Sequence, residues 1–175
     1  MYWYSHVHKQ ITTKKPFGQV FIPDKVDILF KNRSIFANYV KEKVAASKNF
    51  YIVRDKSEVP AKLLVGWFNS TIFTSILVLL GRRISETWTR FLENDYLELP
   101  VISLNNMNNE EIAAEIVENI DGILDKRLPP LWEQLNEEYR YRLDLAIARF
   151  IGIENPEKMI ENLYQLLSNL LRKSQ

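Results

Sequence analysis

The densest apolar run in the chain is "LLVGWFNSTIFTSILVLL", 18 residues from Leu63 to Leu80. Pro60 stands at its opening and no proline interrupts it. Gly81 followed by Arg82-Arg83 is placed to cap the C-terminus and favour the helix dipole. These signals predict one helix from about Pro60 to Leu80. Its length just meets the lower limit for crossing a bilayer. Asn69, Ser70, Thr71, Thr74 and Ser75 put five polar side chains inside it, however, and no second span or flanking anchor accompanies it. A helix apolar nearly all round is then expected to be enclosed by its own protein.

Ahead of that helix, "KPFGQVFIPDKVDILF" and "SKNFYIVRD" are rich in Val, Ile, Phe and Tyr and bounded by Gly, Pro, Asn and Asp, which predicts short strands. Between them, "SIFANYVKEKVAAS" fits a short helix or another strand. Behind the helix, alternation through Ile84, Glu86, Trp88 and Arg90 predicts a strand leading into a turn at Asn94-Asp95, with Pro100 closing the unit. From Asn105 the spacing changes to threes and fours. Three helical stretches follow: "NNEEIAAEIVENIDGILDKR", "PPLWEQLNEEYRYRLDLAIARFIGI" and "NPEKMIENLYQLLSNLLRK". Asn108 or Asn109 and then Asn155 stand where N-caps are wanted. The pattern predicts an α+β protein: a mixed β-sheet body around a buried apolar helix, residues 1–104, and a helical C-terminal section, residues 105–175.

Composition sharpens this picture. The 175 residues are 46% hydrophobic and 12% aromatic, enough to bury a core. No cysteine is present, which removes disulfides, thiolate metal sites and cysteine nucleophiles, and fits a reducing cytoplasm. The N-terminus lacks the continuous apolar run of a signal peptide. A net charge of +1 conceals a division: residues 1–56 hold 11 Lys/Arg against 4 Asp/Glu, whereas residues 101–175 hold 8 against 13. The first third is a candidate surface for a polyanion, and the acidic last third for a different partner.

Candidate chemistry is sparse. The i, i+2 spacing of His6 and His8, the only histidines, would put both on one face of a strand, but no third ligand is suggested nearby and ordinary surface histidines are expected. Pro23-Asp24 resembles the opening of metal-dependent nuclease sites. The acid-any-lysine element that should follow is missing, because Glu42-Lys43 and Asp55-Lys56 are adjacent pairs. The five glycines are scattered singly, so no phosphate-cradling fingerprint exists, and no nucleophile elbow or zinc helix is present. Lys9, Lys14, Lys15, Lys25, Lys31, Arg33, Lys41, Lys43, Lys48, Arg54 and Lys56 interleave with Tyr39, Phe50 and Tyr51. A face carrying several of these cations would bind duplex DNA with strong salt dependence.

An ordered series of short elements adds a resemblance. "VFIPDKVD", "NFYIVRD", "GWFNSTIFTSILVLLGR" with its Asn-Ser ahead of an apolar run, "DYLELPV", and "YRYRLDLAIARFIGI" with its Arg-x-x-Leu-Asp block follow one another from about Phe21 to the C-terminus. In order and spacing the series resembles the C-terminal, target-recognition region of adenine-specific DNA methyltransferases of restriction-modification systems. The catalytic Asn-Pro-Pro-Tyr and the glycine-bearing cofactor motif of that family are absent; the only double proline, "LPPLW" at Leu128 to Trp132, has Leu where the amide must stand. The resemblance therefore implies the recognition portion of a longer enzyme, without catalytic residues, metal or cofactor of its own, S-adenosylmethionine belonging to the missing catalytic domain. It also implies that Asn69 and Ser70 satisfy backbone groups near the first turns of an internal strut on which the strands rest, so that a charge at Ile72 or Leu77 destabilises the fold.

The expected function is reading of double-stranded DNA in the cytoplasm, away from any membrane, in partnership with a methyltransferase catalytic domain or subunit. Charge and placement, not matched family residues, nominate Lys14, Lys15, Lys41, Lys43 and Lys48 for phosphates. They nominate Arg33, Arg54, Arg82 and Arg83 for base or backbone contacts. The competing expectation is a protein-interaction domain that docks a partner through its acidic C-terminal helices.

Overall fold

The computed structural model describes residues 17–27, 34–47, 49–54, 60–80, 88–90, 93–103 and 109–173. Over these residues the chain is α+β. Strand β1 (Phe17–Pro23) lies between β3 (Asn38–Ala45) and β4 (Phe50–Val53) in an antiparallel sheet, and β2 (Lys25–Asp27) pairs antiparallel with β5 (Trp88–Arg90). The segment that fitted helix or strand is thus strand β3. Its pairing with β1 shifts register between Gly18↔Val44 and Val20↔Tyr39, so the residues from Val40 to Lys43 bulge out opposite Gln19. The Gln19 side-chain amide donates to the Lys41 carbonyl at 2.8 Å and pins the bulge.

The apolar run forms two helices instead of the single one expected, α1 (Ala61–Asn69) and α2 (Thr71–Leu80), bent by 60° at Ser70. Ser70 is the cause. Its backbone is extended, and its hydroxyl accepts from the Phe73 N–H at 3.1 Å while donating to the Trp67 carbonyl at 2.8 Å. One serine therefore closes α1 and caps α2, and a run of hydrophobicity gives no warning of that local bond pattern. No single described helix is long and apolar enough to cross a membrane.

Two smaller expectations are also corrected. Asn94-Asp95 sits in the short helix α3 (Glu93–Leu97), not in a turn. The stretch from Pro129 onward divides into α5 (Leu131–Gln134) and α6 (Glu138–Phe150), because the chain makes tight turns from Leu135 to Glu137. Helices α4 (Glu110–Asp121) and α7 (Pro156–Lys173) complete the section. Helix α6 ends as the glycine predicts: Gly152 has φ 81°, its N–H bonds the Arg149 carbonyl, and the Ile153 N–H bonds that of Ala148.

One hydrophobic cluster joins the strands to the helices, drawing on Val20 and Ile22 of β1, Leu63 and Phe68 of α1, Phe73 and Leu77 of α2, Ile116 and Ile120 of α4, and Leu143 and Ile147 of α6. The boundary expected at residue 104 falls outside the described residues. Helix α1 meets α4 at Gly66, where an added Cβ would stand 2.7 Å from Ile116 Cγ2. The absence of a side chain there sets how closely the two helices approach.

Candidate nucleic-acid interface

Two buried polar networks fix the frame on which the exposed charges sit. In the first, Asn69 at the end of α1 accepts from the Phe36 and Ala37 N–H groups at 2.7 and 2.9 Å and donates to the Ala37 carbonyl at 2.9 Å. The amide thereby acts as a short strand partner for the chain entering β3. In the second, Asp144 of α6, wholly buried, accepts from the Thr71 N–H at 2.7 Å, from the Thr71 hydroxyl, from Arg140 Nε at 3.2 Å and from the Tyr164 hydroxyl at 2.8 Å. A carboxylate against the first N–H of α2 satisfies an orphan donor and opposes the positive end of the helix dipole. Burial pushes the Tyr164 hydroxyl well above its ordinary value, and the charge of Asp144 adds to the rise.

Arg140 extends the second network. Its Nε also reaches the Thr71 hydroxyl at 3.1 Å, its Nη1 lies 3.5 Å from Gln134 Oε1, and its Nη2 is buried with no partner among the described residues. Gln134 Nε2 donates to the carbonyls of Ser34 and Pro129 at 2.6 and 2.7 Å, and Ser34 Oγ donates to the Leu128 carbonyl at 2.7 Å. Residues 34–37 and 128–134 are thus tied together across the molecule. Of the two blocks that sequence singled out, Asn69 and Ser70 in one and Arg140, Leu143 and Asp144 in the other are buried and serve as scaffold, linked through Thr71.

The described cations include two kinds. Lys62, Arg140, Arg142 and Arg149 are ion-paired, to Asp121, Asp144, Glu138 and Glu157 respectively. Lys41 and Lys43 are exposed on the β3 bulge and form no ion pair among the described residues. Arg54 is exposed just beyond β4. The β1–β4 register, running from Pro23↔Phe50 to Val20↔Val53, brings Arg54 to the level of Gln19, opposite the bulge. Lys41 and Lys43 on one side and Arg54 on the other accordingly flank one level of the sheet, two strand spacings or roughly 10 Å apart across it between backbones. The other nominated residues, Lys14, Lys15, Arg33, Lys48, Arg82 and Arg83, lie outside the described residues, as do His6 and His8.

A cleft of about 600 Å³ opens between the sheet and the loop after α4. Tyr39 and Phe50 line one side, Lys126 and Arg127 the other, and Val65 with Asn69 contribute to its lining from α1. Lys126 and Arg127 are exposed and form no ion pair among the described residues. Sequence reasoning missed them because they lie in the acidic third, where net charge outweighs two adjacent cations. Their position becomes evident only once Ser34 and Leu128 are joined. On the far side of that loop, Glu115, Glu118, Glu137 and Glu138 line a second cleft of about 750 Å³ together with Lys126, which borders both clefts, and Arg142.

Among the described residues, no group of His, Asp and Glu is arranged to hold a metal ion. Comparison of the chain with protein-family models, with curated proteins and with solved structures finds no match in any of the three.

Proposed function

We propose that this chain is a DNA-reading module of a restriction-modification adenine methyltransferase, acting in the cytoplasm on duplex DNA, with methyl transfer and S-adenosylmethionine binding supplied by a separate catalytic domain. The observation that carries the reading is the division of cations. Ion pairs occupy the arginines of α6, while Lys41 and Lys43 stand exposed on the β3 bulge and Lys126 and Arg127 line the cleft, all four without an ion-pair partner among the described residues. Lysines on an outward bulge of an edge strand can follow a phosphate backbone, and each phosphate they neutralise releases counterions. The burial of Asn69 and Ser70 and of Arg140, Leu143 and Asp144 accords with the resemblance, in which such elements brace a recognition surface.

Fluorescence anisotropy with a labelled 20-bp duplex tests this reading. Binding at 50 mM salt should weaken steeply by 200 mM, and the Lys41→Ala/Lys43→Ala variant should lower the salt slope by about 2, near 0.9 for each lost phosphate contact. Duplex binding that is absent at low salt rejects it. Docking of a basic protein partner is the second reading, favoured by the four glutamates that outnumber Lys126 and Arg142 in the cleft between α4 and α6. That reading predicts no duplex binding and loss of partner capture on Glu115→Gln/Glu118→Gln.

A further inference from the structure

We propose that the cleft between the sheet and the loop after α4 is a binding site for one nucleotide held out of a base stack. This rests on the DNA-binding reading and names what the cleft adds to it. The lining supplies both halves of such a ligand. Tyr39 and Phe50 offer aromatic surface for a base, Asn38 offers a side-chain amide at the same wall, and Lys126 and Arg127 offer positive charge for a phosphate. A volume of about 600 Å³ lies within the usual range for small-ligand sites.

The walls are held rigidly enough to act as a site. The Asn69 clamp fixes Phe36 and Ala37 immediately before Asn38 and Tyr39, and the Ser34–Leu128 and Gln134–Ser34 bonds fix the opposite wall beside Arg127. Lys62 lies 6.0 Å from the centre of the Tyr39 ring and 2.5 Å from Asp121, so its charge is directed to Asp121 and the ring, leaving Lys126 and Arg127 as the cations of the cleft. Stacking on aromatic side chains tolerates any base, whereas the cations require the ligand to be anionic. An apolar peptide would leave both charges unanswered.

The unpaired nucleotide has two sources, a disrupted position in bound DNA or a free mononucleotide. Anisotropy titrations should compare a fully paired 20-bp duplex with the same duplex carrying one unpaired adenine, and saturation-transfer NMR should follow dAMP alone. The unpaired adenine should tighten binding about tenfold. Phe50→Leu, which keeps apolar bulk but removes the stacking face, and Lys126→Ala/Arg127→Ala should each abolish that gain. Lys41→Ala/Lys43→Ala should weaken both duplexes alike and leave the gain intact. Signals from dAMP that vanish in the cleft variants, without a gain for the unpaired duplex, assign the site to a free nucleotide. Equal affinity for the two duplexes with no dAMP signal overturns the cleft proposal while leaving duplex binding standing. A gain that survives in the cleft variants overturns it as well. Loss of paired-duplex binding with retained dAMP binding instead removes the DNA-reading function and keeps the cleft.

Discussion

Asp144 concentrates more consequence than any other described residue, because four donors from three helices converge on one buried carboxylate. Removing it strands Arg140 as a buried charge and leaves the Thr71 N–H and Tyr164 hydroxyl without their acceptor. Asp144→Ala should therefore cost about 3 to 5 kcal/mol in urea unfolding, a large share of the stability of a domain this size. Tyr164 gives the same network a pH signature. Its native hydroxyl keeps its proton where the unfolded chain, titrating near 10.0, releases it. The unfolded state then binds fewer protons, so the stabilisation is present below about pH 10 and is lost as pH rises further. Tyr164→Phe should flatten that alkaline decline by up to about 1.4 kcal/mol per pH unit while costing about 1 kcal/mol at neutrality. An unchanged alkaline slope in urea midpoints measured from pH 8 to pH 11 would contradict the placement of this hydroxyl.

At the level of elements, close approach and local capping decide what hydrophobic pattern leaves open. Helices α1 and α4 meet across Gly66, where Ile116 Cγ2 occupies the space a methyl group would need. This γ-carbon is attached to the branched Cβ and cannot swing aside as the end of a long side chain would. Gly66→Ala should thus destabilise by about 1 to 3 kcal/mol despite its better helix propensity. A rise in thermal midpoint would show that the helices are not in contact there. Strands ahead of the apolar run and helices after it were legible in sequence, the choice of strand over helix for β3 was not, and the buried state of Leu77 follows from its place in the apolar run. The break at Ser70 was not legible, because a buried serine bonding its own backbone has the same hydropathy as one facing a neighbour. The bulge in β3 was hidden for a related reason: nothing in "YVKEKV" marks extra residues, and only pairing with β1 reveals them.

Across the whole molecule, charge is sorted by partnership more than by quantity. Sequence located a basic first third, and of its nominated cations Lys41, Lys43 and Arg54 come to one level of the sheet. The cleft was illegible from sequence, since it joins Tyr39 and Phe50 to Lys126 and Arg127, residues far apart along the chain. Hydrogen bonds between Ser34 and residues Leu128 and Gln134 make that junction, and no local signal announces them.

The most direct test of this account is the salt dependence of duplex binding by the intact chain beside its Lys41→Ala/Lys43→Ala/Lys126→Ala/Arg127→Ala variant. With the four cations on phosphates, the logarithmic salt slope should fall by about 3 to 4 while the thermal midpoint stays unchanged. Identical slopes for the two proteins would contradict it.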